Sequence, residues 1–381
     1  MIAPSAFVSA LQRHGIGLVT GVPDSLLKEL CAEIQATLPG GQHCVAPSEG
    51  AAVGLAIGHY LATQKPAMVY LQNSGLGNIV NPVTSLVADA IYGIPMLLVI
   101  GWRGETTDCG EQIADEPQHM FQGRITPAQL DLLDIPYRIL DAGSDPDAAL
   151  DEAFGCAVAA SKPFALLVRR GSFAQSGAAS LPDLSGRLSR EAAIEQVLAA
   201  LPPTAAVVST TGMASREVFE IRKKHQQGHE RDFLVVGGMG HAVAIATGVA
   251  QARPGQRVAC LDGDGALMMH SGSLAMGARC PGLVHVVLNN EAHDSVGGQP
   301  TVGNGLSLAR IADSFGYSLA CCVGTANELA QALQAALATD KASFIEVICK
   351  KGNRADLGRP DRSPLQNRQE FQTFLREGCH A

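Results

Sequence analysis

The chain has 381 residues and is 46% hydrophobic, enough to bury a full core, and its length favours two domains over one or three. A net charge of −8, with Lys and Arg scattered along the chain, argues against a nucleic-acid partner. Residues 1–10 lack the basic region and apolar run of an export signal, and the longest apolar stretches, 95–101 and 243–252, are too short or too broken to span a bilayer. The ten cysteines contain no CxxC pair and no Cys/His cluster with metal-ligand spacing, so they are expected to be buried free thiols of a cytoplasmic protein.

Short runs of Val, Leu and Ile alternate with longer Ala-rich segments of helical periodicity, the pattern of a parallel sheet covered by helices. In the first half the expected strands are 18–20, 67–71, 95–100 and 164–168, with helices such as 25–36 and 50–62 between them. Residues 171–189 are rich in Gly, Ser, Ala and Pro without periodicity, the composition of a surface linker. The second half repeats the scheme, with strands at 206–209, 257–261, 284–288 and 344–348 and helices at 190–200, 241–252 and 326–338. The expected fold class is α/β: two doubly wound parallel-sheet domains, 1–172 and 190–381, joined by a linker at 173–189 with no middle domain.

The segment 257–301 carries the most chemistry. Its first strand delivers Asp262, Gly263, Asp264, Gly265 and Ala266 into a turn, a helix follows, and the next strand ends at Asn289 and Asn290. Glycines at 263 and 265 let the backbone approach a diphosphate closely, and the helix start behind them offers N–H groups and a positive dipole end. Asp264 and Asn290 bring hard oxygen ligands to the carboxyl ends of neighbouring strands, suited to a Mg²⁺ ion bridging phosphates, and the Ala292 carbonyl is a further ligand candidate. Asp262 is either support for this turn or a solvated carboxylate at a strand end.

With Asp264 and Asn290 26 positions apart, the segment resembles the thiamin diphosphate enzymes, whose mark is a GDG turn followed by an Asn-Asn pair. Pro47-Ser48-Glu49-Gly50-Ala51-Ala52, followed by Gly58-His59-Tyr60, is similar to the same family's pyrimidine-binding segment. The resemblance implies that Glu49 hydrogen-bonds the pyrimidine ring nitrogen, the alternative being a carboxylate that complements a helix dipole. Gly237-Gly238-Met239-Gly240 resembles a third family turn, in which Gly237 offers its carbonyl to the pyrimidine amino group and Met239 wedges the cofactor into a bend; an ordinary core methionine is the alternative. The resemblance thus implies a pyrimidine-binding domain at 1–172, a diphosphate-binding domain at 190–381, thiamin diphosphate and Mg²⁺ as cofactors, and a homodimer or higher homo-oligomer with active sites at the subunit interface.

Four stretches, 70–78, 101–105, 115–124 and 289–301, resemble the phosphonopyruvate decarboxylase branch of that family. This implies decarboxylation of a small 2-oxo acid, 3-phosphonopyruvate, to phosphonoacetaldehyde and CO₂, a step of phosphonate biosynthesis, with the cofactor as electron sink. Asp24, followed by His293 and Asp294, is the candidate for proton handling, and the glycine-bearing loop 291–303 is placed to close over the substrate. Asp24 also reads as a simple helix N-cap before Leu26. A phosphonate dianion needs clustered donors, for which Arg103, His119 and Arg124 are candidates. Val296 stands where pyruvate decarboxylases carry a glutamate, and 71–77 holds no paired histidines, which disfavours pyruvate. The rival readings are a sulfopyruvate decarboxylase and a catalytically silent subunit, the latter opposed by intact Glu49, Asp264 and Asn290. A nicotinamide-dependent dehydrogenase fails for want of a GxGxxG helix start.

Overall fold

The structure, a computed structural model, describes residues 1–107, 109–176 and 187–377. Its strands are β1 Val19–Gly21, β2 His43–Val45, β3 Ala67–Gln72, β4 Met96–Gly101, β5 Tyr137–Leu140, β6 Phe164–Val168, β7 Ala206–Ser209, β8 Asp232–Leu234, β9 Val258–Gly263, β10 Leu283–Asn289, β11 Leu319–Val323 and β12 Ser343–Ile348. They form two six-stranded parallel sheets, ordered β2-β1-β3-β4-β6-β5 and β11-β12-β10-β9-β7-β8. The chain divides into one unit of Met1–Ser180 with Ser295–Pro300 and a second of Leu181–Asp294 with Thr301–Ala381. Part of the expected linker, 177–186, lies outside the described residues, while its ends join the units. Phe173 bridges to Ile2 and packs edge-on against Phe7, and Leu188 bridges to Cys349.

In the first unit the central strands are apolar on both faces, as a helix-covered parallel sheet requires. Met68, Tyr70, Leu97, Val99 and Leu166 face one core with Phe7, Leu11, Leu30 and Phe154, from the helices Pro4–Arg13, Lys28–Thr37 and Pro146–Ala160. Val69, Leu71, Leu98, Ile100 and Leu167 face the other core, with Val53, Leu76 and Leu130 from the helices Glu49–Thr63, Leu76–Pro82 and Pro117–Leu132. The strand order reverses between β1 and β3, so the ends of these strands open onto a switch point, where doubly wound sheets bind ligands.

The second unit repeats the plan. Ala259, Leu261, Val284, Val286 and Ile345 pack on the helices Arg190–Ala200, Met213–Lys224 and Ala326–Leu337, and Val258, Cys260 and Leu283 pack on Ala242–Ala252. Here the order reverses between β7 and β9. Helix Met213–Lys224 is tied to β8 by a fully buried bidentate pair, Arg222 to Asp232 at 2.9 Å and 2.9 Å.

Several expectations need correction. The helix expected at 25–36 begins only at Lys28, because Asp24 and Leu27 close a separate turn first. Four strands, β2, β5, β8 and β11, were not expected, and these are the four sheet edges. The cysteines are not uniformly buried: Cys31, Cys260, Cys280 and Cys349 are, whereas Cys44, Cys109, Cys156 and Cys322 are exposed. No helix among the described residues is long and apolar enough to cross a membrane.

Candidate active site

In the first unit, the Ser48 hydroxyl accepts from the Ala51 N–H and starts the helix Glu49–Thr63, which makes Glu49 its first residue. Glu49 is 5% exposed, and its Oε2 accepts from Asn78 Nδ2 at 2.7 Å. Burial pushes the Glu49 carboxyl above its ordinary range, and the Asn78 hydrogen bond opposes the shift. A Cβ at position 75 would collide with Glu49 Oε1, so Gly75 is what gives the carboxyl its room.

Asp24, three residues past β1, is fully buried. Its Oδ2 accepts from Leu26 N at 2.8 Å within the turn that precedes the helix, so it is not that helix's N-cap, and its Oδ1 accepts from Gln72 Nε2 at 2.6 Å, from the end of β3. Burial is the largest influence and raises its pKa, with Gln72 and Leu26 pulling the other way. Gln72 Oε1 accepts in turn from the Ser74 hydroxyl at 2.8 Å, a group that can also accept from an amide nitrogen. A Cβ at Gly101, on β4, would strike Asp24 Oδ2.

Of the three donors expected for an acidic head group, the structure gathers two around Asp115. Arg103 donates to Asp115 from Nε at 2.7 Å and Nη2 at 2.6 Å, and its Nη1 reaches Ser25 at 3.0 Å. Against the raising effect of burial, these contacts hold Asp115 well below the carboxylate range, and the charge of His119 acts in the same sense. Arg124 is not brought to them. It is exposed, with its guanidinium 5.2 Å over the Phe121 ring one helical turn back.

In the second unit, the parallel register sets Gly263 of β9 opposite Leu288 of β10, so Asp264 and Asn290 emerge from adjacent strand ends. Asp264 begins the helix Asp264–Met269, which also contains Gly265 and Ala266, and its Oδ2 accepts from Thr301 Oγ1. Burial pushes the Asp264 carboxyl up to about 6, against the Thr301 hydrogen bond. Asn290 Oδ1 accepts from Ala292 N at 3.1 Å, and its Nδ2 donates to Asp294 at 2.6 Å. Carboxylate, amide oxygen and backbone carbonyl at Asp264, Asn290 and Ala292, all three buried, make a donor set that fits Mg²⁺. Asp262 is fully buried, which excludes the solvated strand-end alternative; its Oδ1 accepts from Gly263 N at 2.9 Å.

His293 sits against Gly265, where a Cβ would meet its Cε1 at 3.0 Å, and burial lowers its pKa to about 4. Asp294 Oδ2 takes three donors: Asn290, Arg190 Nη1 at 3.2 Å and Gly352 N at 2.8 Å. Gly237 and Met239 are half-buried in the turn after β8, where Gly238 and Gly240 have φ of +62° and +87°, backbone that favours glycine. Asn78, Gln72, Asp115, Thr301, Arg190 and Glu217 were not singled out from the sequence. Each stands 12 to 48 positions from a residue it bonds to, distances at which no local pattern operates.

Residues 1–132 match the N-terminal thiamine pyrophosphate-binding domain of the thiamine pyrophosphate enzymes, and 210–347 match the C-terminal one. The chain is 36% identical to the phosphonopyruvate decarboxylase of Streptomyces viridochromogenes, over 98% of this chain and 95% of that one. It is 36% identical to the Streptomyces hygroscopicus phosphonopyruvate decarboxylase, over 99% and 95%. Identity to the sulfopyruvate decarboxylase of Methanosarcina acetivorans is 26%, over 97% and 96%. The chain belongs to the thiamine pyrophosphate enzymes, in the family of the phosphonopyruvate decarboxylases, and is a carboxy-lyase of that α/β fold.

Proposed function

We propose that this chain decarboxylates 3-phosphonopyruvate to phosphonoacetaldehyde and CO₂, with thiamin diphosphate and Mg²⁺. The observation that carries this reading is the 36% identity to two phosphonopyruvate decarboxylases along nearly the whole chain, against 26% to a sulfopyruvate decarboxylase of similar coverage.

When bound, the cofactor supplies an electron sink for the bond that releases CO₂. Asp264, Asn290 and the Ala292 carbonyl would hold the Mg²⁺, and Gly263, Gly265 and Ala266 would bring the backbone close to the diphosphate. The Gly237 carbonyl would accept from the pyrimidine amino group, and Met239 would pack against the cofactor. Glu49, whose pKa burial raises, is suited to hydrogen-bond the pyrimidine ring nitrogen, and Asn78 keeps Oε2 in place for it.

Asp24 is the proposed proton donor to the carbon that has lost CO₂. Burial keeps its neutral form populated to higher pH, and Gln72 and Leu26 hold both of its oxygens. His293, kept neutral by burial, would serve as a hydrogen-bonding group rather than a cation. Arg103 and His119 are the proposed contacts of the phosphonate, with Asp115 holding the guanidinium plane in position. The same reading takes the protein to be at least a homodimer, which light scattering at micromolar concentration tests.

The direct test is CO₂ release from phosphonopyruvate, sulfopyruvate and pyruvate in parallel, with both cofactors present. Cofactor-dependent release from phosphonopyruvate with little from the other two is the expected result. Preference for sulfopyruvate would keep the chemistry and overturn the substrate, and no release from any of them would overturn both.

A further inference from the structure

Asn290 carries an amide whose oxygen and nitrogen differ in role but hardly in shape, so its neighbours decide which atom points where. Asp294 Oδ2 can only accept, and takes Asn290 Nδ2 at 2.6 Å; the Ala292 N–H can only donate, and goes to Asn290 Oδ1 at 3.1 Å. The two contacts agree. They leave Oδ1, with a second lone pair, as the atom that Asn290 can offer to a cation.

Asp294 is itself held from behind. Arg190 Nη1 donates to its Oδ2 at 3.2 Å, and Gly352 N does so at 2.8 Å. Arg190, the first residue of its helix, is fixed by a bidentate pair to Glu217, at 2.7 Å through Nε and 2.9 Å through Nη2, with both side chains buried. The triad Glu217–Arg190–Asp294 therefore spans two helices and the segment after β10. It sets two carboxyl groups against one guanidinium.

We propose that Asp294, backed by Arg190 and Glu217, is a positioning residue for a divalent cation: it orients the Asn290 amide so that Oδ1 faces the ion and adds negative charge behind that ligand. The proposal rests on the reading of Asp264 and Asn290 as Mg²⁺ ligands. It gives Asp294 a task other than proton transfer, in keeping with an oxygen already occupied by three donors. Groups that orient a metal ligand without touching the metal commonly change its affinity by about 10–100-fold when removed.

The test is metal affinity of the full-length protein with saturating thiamin diphosphate, measured by calorimetry with Mg²⁺ and by electron paramagnetic resonance with Mn²⁺. Asp294→Ala removes both acceptor and charge and is expected to weaken the ion by about tenfold or more. Asp294→Asn keeps an acceptor and loses the charge, with an expected weakening of about fivefold. Turnover of both variants should recover as Mg²⁺ is raised to saturation, which a purely structural role does not produce.

Asn290→Ala and Asp264→Ala separate the two levels of the argument. If these lose the ion while Asp294→Ala binds it like wild type, the positioning role is overturned. If neither of them changes metal affinity, the ligand reading fails and the proposal with it. Should Asp294→Ala not fold, unchanged affinity in Asp294→Asn overturns the proposal.

Discussion

Gln72 Nε2 donates to Asp24 Oδ1 at 2.6 Å, joining the end of β3 to the turn after β1 across the switch point of the first sheet. With Leu26 N on Oδ2, both oxygens of a fully buried carboxyl are engaged. Partners that bind the charged form lower the pKa, yet burial outweighs them and the net shift is upward.

Asp24→Asn should therefore separate activity from stability. Turnover should fall by about 10²-fold or more as the proton donor is lost. Because the folded pKa lies above the ordinary 3.8, the fold keeps this group's full contribution below pH 3.8 and loses it as pH rises through the folded value. Asn never ionises, and a flip of the Gln72 amide can satisfy it. The variant should melt higher than wild type at pH 8, with the difference closing toward pH 3.8, and thermal melts across that range check it. A variant that melts lower than wild type at pH 8 would count against a buried, uptitrated Asp24.

Glu49→Gln should keep thiamin diphosphate bound and lower turnover by about 10²–10⁴-fold, read by cofactor titration beside CO₂ release. Near-normal turnover would remove Glu49 from the chemistry.

Gly75→Ala should act through Glu49, since the added methyl collides with its Oε1. A displacement of about 1 Å at a reacting group costs about 10²-fold, so kcat should drop on that order while the cofactor dissociation constant changes little. A wild-type kcat would show that the carboxyl can move aside freely.

Asp264→Ala should weaken cofactor binding only where Mg²⁺ supports it. Thiamin diphosphate titrations with Mg²⁺ and with a chelator should differ strongly for the wild-type protein and little for the variant.

Two substitutions, one in the core and one on the surface, calibrate stability in the first unit. Phe7→Ala removes a fully buried ring packed on Phe173 and should cost about 3–5 kcal/mol in urea unfolding. Gly155→Ala, exposed in the helix Pro146–Ala160 with open space at its Cβ, should gain about 0.5–1 kcal/mol.

The central strands were legible because a strand covered on both faces must be apolar throughout, as Met96–Gly101 and Phe164–Val168 are. The edge strands were not. His43–Val45, Tyr137–Leu140 and Leu319–Val323 are short and largely half-exposed, so their composition differs little from that of a loop, and Asp232–Leu234 is only three residues long. An edge strand exists because a neighbour offers it hydrogen bonds, which is information held elsewhere in the chain.

The candidate site divides the same way. The GDG turn, the Asn pair and the Pro-Ser-Glu segment are local, because a close backbone approach, a strand end and a helix start each need particular residues within a few positions. The sequence by itself thus determined the fold class, the cofactor family and Glu49, Asp264 and Asn290 as candidates. Tertiary structure alone decided that Asn78 holds Glu49, that Gln72 holds Asp24, that Arg103 faces Asp115 while Arg124 lies on Phe121, and that Asp294 is clamped by Arg190. Each of these partnerships joins residues from separate segments or depends on which way a surface side chain turns, and only packing of the sheets and helices fixes either.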